Sequence, residues 1–209
     1  FLENPDVKSS TNIANSDSLH LEPDSQISML KSNESTSKIS KVDTIIMNPP
    51  FTRQESLEKN QKDALETRFS KYDIVDKRIG LHGYFILLGN EFLKNNGTMA
   101  LVLPATVLRI ESFTKLRKFL VENFQIKYLI SSNKSSSFSY GSRFREILLV
   151  IKKTAPKKSD KTRIGVLNEK PVIGKNVKDI ISSLTKKSIK NSKEMELIDI
   201  DRSEERRVG

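Results

Sequence analysis

The chain has 209 residues, of which 36% are hydrophobic and 30% are charged. This is the composition of a water-soluble domain, and no apolar run reaches the roughly 20 residues that a membrane helix needs. Cysteine is absent and the two histidines, His20 and His82, lie far apart in the sequence, so we expect neither disulfides nor a catalytic metal. The first residues lack the basic and then apolar pattern of a secretion signal, so nothing in the sequence predicts export.

The net charge of +10 is concentrated in one segment of the chain. Between Lys152 and Lys193 there are 13 Lys or Arg residues and three acidic residues, so the rest of the chain sums to zero. This asymmetry predicts either a surface that faces a polyanion or a Lys-rich surface that only reflects the base composition of the genome. Charge alone does not decide between the two.

Residues 1–41 contain few large apolar side chains, and we predict mostly loops there. A short strand ending at Asp17 is the one element that we predict, with a turn as the alternative for Asp17 itself. Residues 31–41 are of low complexity and predict no regular structure.

The stretch DTIIMNPPF, from Asp43 to Phe51, predicts a buried strand that ends in a stiff loop. Pro49 and Pro50 have no backbone N–H and restrict the residue before them, so the loop presents carbonyl oxygens in nearly fixed directions. The amide of Asn48 adds one more carbonyl oxygen. Rigid acceptors beside an aromatic ring suit a flat ligand that carries an amino group, such as a nucleobase with an exocyclic amine.

The rest of the pattern alternates helices and strands after a long polar stretch. Residues 52–82 lack an apolar period and predict a loop, which we interpret as a lid over a site. The alternation predicts right-handed crossovers and a largely parallel sheet, with the last two strands as candidates for an antiparallel hairpin at its edge. In chain order we predict a helix introduced by residues 80–83, a strand at 98–104, a helix at 112–123 with Ser112 as a candidate cap, and strands at 125–131 and 145–153.

Ligands bind at the carboxyl ends of the strands in an open α/β sheet, where this loop is expected. The loop sequence NPPF matches the motif [DN]PP[YF], and the chain resembles the amino-group DNA methyltransferases of the N6-adenine type. The resemblance extends to GLHGYFI from Gly80, GTMALVLPATVL from Gly97 and SFSYGSRFREILLVIKK from Ser137. It implies a Rossmann-like, S-adenosylmethionine-dependent methyltransferase fold, of which this chain holds the C-terminal half of the sheet with an antiparallel edge hairpin.

The resemblance implies transfer of a methyl group from S-adenosyl-L-methionine to the N6 amine of an adenine that is flipped out of DNA. It makes Asn48, Pro49, Pro50 and Phe51 the catalytic motif. The Asn48 side-chain oxygen and the Pro49 carbonyl would accept the two amine hydrogens, and Phe51 would stack on the base.

Two further residues enter through the resemblance alone. Phe138 resembles the second aromatic residue beside the base, although packing at the rim is equally open and Tyr140 and Phe144 are rivals for the contact. Asp17 resembles the acidic residue that contacts the adenine of the cofactor.

The family's Gly-rich cofactor loop is absent from the sequence, and we expect it upstream of Phe1. We therefore divide the chain into a partial catalytic domain at 1–153 and a linker with the start of a basic, DNA-recognition module at 154–201, where a strand at 162–167 and a helix at 176–190 are predicted. Residues 202–209, RSEERRVG, resemble the translation of a sequencing adapter. We expect the isolated 209 residues to be inactive.

The expected partners are DNA and either a restriction endonuclease or a specificity subunit, with no membrane, in the cytoplasm of a prokaryotic cell. Two other functions remain open. One is methylation of an RNA base or a protein glutamine, which enzymes with the same motif perform. The other is a non-catalytic DNA-binding subunit of a defence complex.

Overall fold

The computed structural model describes residues 16–28, 36–51, 57–74, 79–133, 138 and 145–202. In chain order its strands and α-helices are β1 (Gln26–Ser28), β2 (Thr36–Lys38), β3 (Val42–Met47), α1 (Lys59–Arg68), α2 (Gly80–Phe92), β4 (Leu93–Pro104), α3 (Thr114–Asn123), β5 (Gln125–Ser132), β6 (Glu146–Lys152), β7 (Lys161–Leu167), α4 (Val177–Thr185) and β8 (Met195–Asp201). None of the helices in these ranges is both long and apolar enough to cross a membrane.

Six strands form one mixed sheet in the order β3-β4-β6-β5-β7-β8. The pairs β3–β4 and β5–β7 are parallel, whereas β6 runs antiparallel to both of its neighbours and β8 runs antiparallel to β7. The prediction of a largely parallel sheet is therefore wrong, because the connection from β5 to β6 has no crossover helix and reverses the chain. The antiparallel hairpin of β5 and β6 is confirmed, but it lies inside the sheet rather than at its edge, since β5 also pairs with β7.

The loops that could form a site lie at one end of the strands. At this end, the last residues of β3, β4, β5 and β7 lie beside the first residues of β6 and β8. We call it the site edge, and it is distinct from the outer strands β3 and β8. The register that defines it pairs Met47 with Leu101, Pro104 with Glu146, Ser132 with Leu167, and Leu167 with Met195.

The main core lies between the sheet and the helices α1, α2 and α3. Helix α2 approaches the sheet closely at Gly89, where an added Cβ would lie 2.8 Å from the sulfur of Met99 and 2.9 Å from Cε of Met47. Alternate residues of β4 are completely buried, as expected for a strand with a packed face. The largest fully buried side chains of the main core include Phe69, Tyr84, Ile86, Leu87, Met99, Leu101, Leu103 and Phe124.

Helix α1 forms inside the stretch that we predicted to be a loop. Its amino end carries a capping box of Glu58 and Gln61, and Leu65 buries its side chain in the main core. Arg68 at its carboxyl end lies 2.7 Å from the carboxylate of Glu91 on α2. The helix was missed because its apolar face is sparse, and one buried side chain, Leu65, and a largely buried ion pair hold it.

Four local predictions differ from the structure. Strand β4 begins at Leu93 rather than at residue 98. The short strand ending at Asp17 is wrong, and the alternative turn is confirmed, since Asp17 caps a 3₁₀ turn, Ser18–His20. Ser112 does not cap α3, which begins at Thr114 after a second 3₁₀ turn and has no side-chain cap. Helix α4 ends at Thr185 rather than near residue 190.

A second, smaller apolar cluster lies under α4. We call it the second cluster, and its buried members are Ile130, Leu167, Ile180, Met195 and Leu197. Arg163 of β7 lies 2.7 Å from the carboxylate of Asp199 on β8, and its guanidinium also donates to the Leu184 carbonyl at the end of α4. The predicted strand at 162–167 is confirmed as β7. It extends the same sheet, and the domain boundary at residue 154 stays a prediction.

Candidate active site

The NPPF loop leaves β3 directly at the site edge. The prediction of a buried strand is wrong here, because β3 is the first strand in the sheet order, so one of its sides is unpaired among the described strands, and Ile46 is 82% exposed. Met47, the last residue of β3, pairs with Leu101 in the parallel β3–β4 ladder, so the next residue already lies beyond the paired strand. Pro49 is buried, whereas Asn48 is exposed and Phe51 is half-buried. The buried Pro49 thus anchors the loop. The Asn48 amide and the Phe51 ring are accessible to a ligand at the site edge.

Phe138 lies in the connection from β5 to β6, which returns to the same edge. Its backbone N–H donates to the carboxylate of Glu146 at 2.7 Å, and its half-buried ring packs against the second cluster. The role of Phe138 beside the base stays a prediction. Its rivals, Tyr140 and Phe144, lie outside the described residues. The sequence analysis did not identify Glu146 as the partner of Phe138. This residue is 4% exposed, and nothing in the sequence except its position at the start of a strand distinguishes it.

Asp17 lies on a turn beside the main core, into which its neighbour Leu19 is buried. Its carboxylate accepts a hydrogen bond of 3.0 Å from the backbone N–H of Leu19 and lies 3.0 Å from Nδ1 of His20. The side chain is 65% exposed. A carboxylate has about four lone-pair sites, so it can still accept from an amine of a ligand.

His82 is a buried residue that the sequence analysis did not single out. It occupies the first turn of α2, and its ring packs on Phe113, which follows β4, with ring centroids 5.1 Å apart. Burial lowers the pKa of His82 to about 4, so the ring is neutral at physiological pH. Within the described ranges, neither ring nitrogen has a hydrogen-bond partner.

An apolar groove lies apart from the proposed site. It has a volume of about 420 Å³ and lies between α3 and the sheet, with mainly aliphatic walls. Leu103, Leu120 and Ile164 are among its lining residues, and Asn48 and Phe51 are not. The groove therefore shares no lining residue with the NPPF loop, and we do not assign the reaction at an amine to it.

A mixed α/β sheet with the NPPF loop at the carboxyl ends of its strands defines the class of S-adenosylmethionine-dependent methyltransferases. The chain belongs to the Eco57I restriction-modification methylase family, whose sequence model matches residues 3–138. S-adenosylmethionine is the cofactor of this family. The membership confirms the resemblance that the NPPF motif suggested.

Two curated relatives share this segment. The chain is 27% identical over 173 residues to the Type II methyltransferase M.BstVI of Geobacillus stearothermophilus, covering 81% of this chain and 30% of that protein. It is 28% identical over 110 residues to the Type II restriction enzyme and methyltransferase RM.Eco57I of Escherichia coli, covering 53% of this chain and 11% of that protein. The chain thus corresponds to a minor part of each relative's length.

Solved structures agree on the fold. The type IIG restriction endonuclease BpuSI superposes with a TM-score of 0.65 at 17% identity, over 92% of this chain and 21% of that one. A type I restriction-modification methyltransferase subunit from Streptococcus thermophilus gives a TM-score of 0.61 at 20% identity, over 91% and 38% of the two chains. At these identities the likeness shows the fold alone.

Proposed function

We propose that the protein methylates the N6 amine of an adenine that is flipped out of duplex DNA, within a restriction-modification system. The observation that carries the proposal is the Asn48–Phe51 loop at the site edge, with its buried proline, exposed amide and half-buried ring. A base inside a duplex cannot reach such a loop, so the target must leave the stack.

Each residue of the loop has a part in this proposal. The amine of adenine is a poor nucleophile because its lone pair is delocalised into the ring. Acceptance of its two hydrogens by the Asn48 side-chain oxygen and the Pro49 carbonyl favours a pyramidal nitrogen, whose lone pair is then available. Phe51 holds the base by stacking, and Pro50 keeps the loop stiff. Alignment is the main contribution of the protein. The nitrogen is strongly acidic once it carries the methyl group and a positive charge, so its surplus proton would pass to solvent and no strong general base is needed.

The cofactor fits the chemistry of the residues that we assign to it. S-adenosylmethionine, when bound, supplies a methyl group activated by its sulfonium. Asp17 keeps acceptor capacity on a 65% exposed carboxylate, so it suits the adenine amine of the cofactor. We also propose that the 209 residues alone are inactive, because the 173 residues that align with the relative M.BstVI cover only 30% of its length.

The test is methyl transfer from tritiated cofactor by the complete protein that contains this chain. Duplex DNA, RNA and a protein with an exposed glutamine are offered separately, and we expect label in DNA, on N6 of adenine. Asn48→Ala should lower the rate about 100-fold or more, while DNA binding persists. Asn95→Ala, an exposed asparagine near the start of β4 at the opposite edge, is the matched control.

Each competing function predicts a different result. Label in RNA or in the glutamine would replace DNA as the substrate. An unchanged rate in Asn48→Ala would remove the catalytic assignment. DNA binding without any methylation by the wild type would favour a non-catalytic subunit. The proposed partners are DNA and an endonuclease or specificity subunit, and the proposed location is the cytoplasm of a prokaryotic cell.

A further inference from the structure

A loop with an apolar tip follows β7 at the site edge. We call residues 170–175 the tip loop. Ile173 at its apex is 94% exposed, and the neighbouring Val172 is 46% exposed. Single exposed aliphatic residues are common on protein surfaces, so exposure alone assigns nothing. What distinguishes this loop is how firmly it is held and which charges flank the tip.

The tip loop is held by a buried side chain. Asn176 is 6% exposed, and its amide donates to the Lys170 carbonyl at 3.1 Å and accepts from the Val172 N–H at 2.8 Å. The Lys175 N–H donates to the Val172 carbonyl at 3.1 Å, which closes a tight turn. Gly174 has a φ of +79°, which such a turn requires at its third position. The fold thus presents Ile173 to solvent on an ordered support.

The flanks of the tip are cationic. Lys170 and Lys175 are exposed, and neither forms an ion pair with another described residue. The nearest acid in the sequence, Glu169, lies 3.3 Å from the ammonium group of Lys193, which offsets its charge. An apolar side chain between two free cations suits a polyanion with a stacked apolar interior, which is the chemistry of a nucleic acid duplex.

The tip loop and the NPPF loop stand at the same edge of the sheet. β7 is four strand positions away from β3, or about 19 Å at the usual strand spacing. This is about half of one helical turn of B-DNA. One duplex lying along the site edge can therefore contact both loops.

We propose that the tip loop enters DNA bound along the site edge, with Ile173 inserted between base pairs and Lys170 and Lys175 on the flanking phosphates. This rests on the proposed function only in taking DNA as the partner. Insertion of an apolar side chain unstacks and kinks a duplex, which eases extrusion of a nearby base toward Phe51. The basic segment thus acts through two lysines at the site edge rather than through its total charge.

The first test is the affinity of the complete protein for a labelled mixed-sequence duplex, measured by fluorescence anisotropy. Ile173→Ala should weaken binding about tenfold and Ile173→Asp about 100-fold, because the buried contact area of an isoleucine is lost. Ile181→Ala is the matched control, since Ile181 on α4 is 54% exposed and lies outside the tip loop. Equal affinities of the Ile173 and Ile181 variants would overturn the proposal.

The second test separates phosphate contact from general attraction. The double variant Lys170→Ala, Lys175→Ala should reduce the slope of log affinity against log salt by about 1.8. Lys157→Ala, Lys158→Ala removes the same charge before β7, at the opposite edge, and should leave the slope unchanged. If both double variants change the slope equally, the tip loop has no special role and the proposal fails.

The third test detects insertion itself. A duplex with one abasic site has already lost stacking at that step, so an inserted side chain costs less there. The wild type should prefer this duplex over the intact one, and Ile173→Ala should abolish the preference. If the Ile173 variants bind DNA as the wild type does but no longer bind a protein subunit that the wild type binds, the proposal is overturned in favour of a protein partner. Binding and salt slope are measured without methylation, so these outcomes stay distinct from a failure of the proposed function.

Discussion

Two loops at the site edge are built in opposite ways. The NPPF loop is stiffened by Pro49 and Pro50 and offers oxygen acceptors without a charge. The tip loop is held by the buried amide of Asn176 and offers two lysines around Ile173. Chemistry at an amine needs atoms fixed in direction, whereas contact with a phosphate backbone needs charge and reach. The contrast indicates a division of labour along one edge.

The support beneath the two loops also differs. The NPPF loop follows β3, whose Ile45 and Met47 pack on the main core. The tip loop lies in the sequence between Leu167 and Ile180, two of the five buried members that the second cluster has among the described residues. A small cluster relaxes more easily around a missing side chain than a large core does. The NPPF loop should therefore be the more firmly supported of the two.

The largest expected effect tests this difference in support. Leu101→Ala in β4 should lower the free energy of unfolding by about 4 kcal/mol, and Leu197→Ala in β8 by about 2 kcal/mol. Leu101 is completely buried and Leu197 is 7% exposed. Urea denaturation followed by circular dichroism measures both. Equal losses would mean that the second cluster is as tightly packed as the main core.

The next effect concerns His82, which lies in the first turn of α2 and packs on Phe113. Burial lowers its pKa to about 4, below the value of an exposed histidine, so the unfolded chain binds more protons between these two values. Stability is therefore full above pH 6.5 and falls as the pH drops from there to 4, by about 3 kcal/mol for this group. His82→Phe should remove this part of the pH dependence.

Urea denaturation at a series of pH values measures the effect, and His20→Phe serves as the matched control. His20 is exposed, so this variant shows whether the effect depends on the buried ring of His82. If His82→Phe and wild type lose stability in parallel between pH 6.5 and 4, the ring is not held neutral by the fold. The main core would then tolerate a charge close to the site edge.

A smaller effect is expected at the stacking ring of the NPPF loop. Phe51→Ala should lower kcat/KM for DNA methylation by about 100-fold, because base stacking on an aromatic side chain is worth up to about 3 kcal/mol. Phe51→Tyr keeps the ring and matches the [DN]PP[YF] motif, so it should stay near the wild type. Steady-state methylation rates measure both. Equal damage by the two substitutions would contradict a stacking role.

The helices and strands were predictable from the sequence where apolar residues repeat with a clear helical or strand period. The apolar positions of α2, β4 and α3 repeat clearly, and β5 and β6 were placed within one or two residues. The order of the strands was not predictable, since insertion of β6 between β4 and β5 depends on long-range pairing. Helix α1 was missed because its stability comes from Leu65 and from the ion pair of Arg68, neither of which leaves a pattern.

A candidate site could be proposed from the sequence where one motif carried several constraints. Asn48 to Phe51 combine two prolines, an amide and a ring after a strand, which few other functions require. Phe138 could be named only through a resemblance, and its packing on the second cluster has no local signature. The tip loop left the weakest trace, because Lys170, Ile173 and Lys175 become one surface only when Asn176 folds the chain around them.

The smallest expected effect on stability should show how the tip loop depends on that one amide. Asn176→Ala should cost about 1–2 kcal/mol, because two buried hydrogen bonds are lost and backbone groups at Lys170 and Val172 are left unsatisfied. Its DNA affinity should fall as far as that of Ile173→Ala although the tip residue is intact. Asn168→Ala, which removes an exposed hydrogen bond to Asn133, is the matched control. If Asn176→Ala loses stability but keeps its full affinity for DNA, the tip loop does not need the amide of Asn176 to bind DNA. The proposed contrast between the two loops would then be wrong for the tip loop.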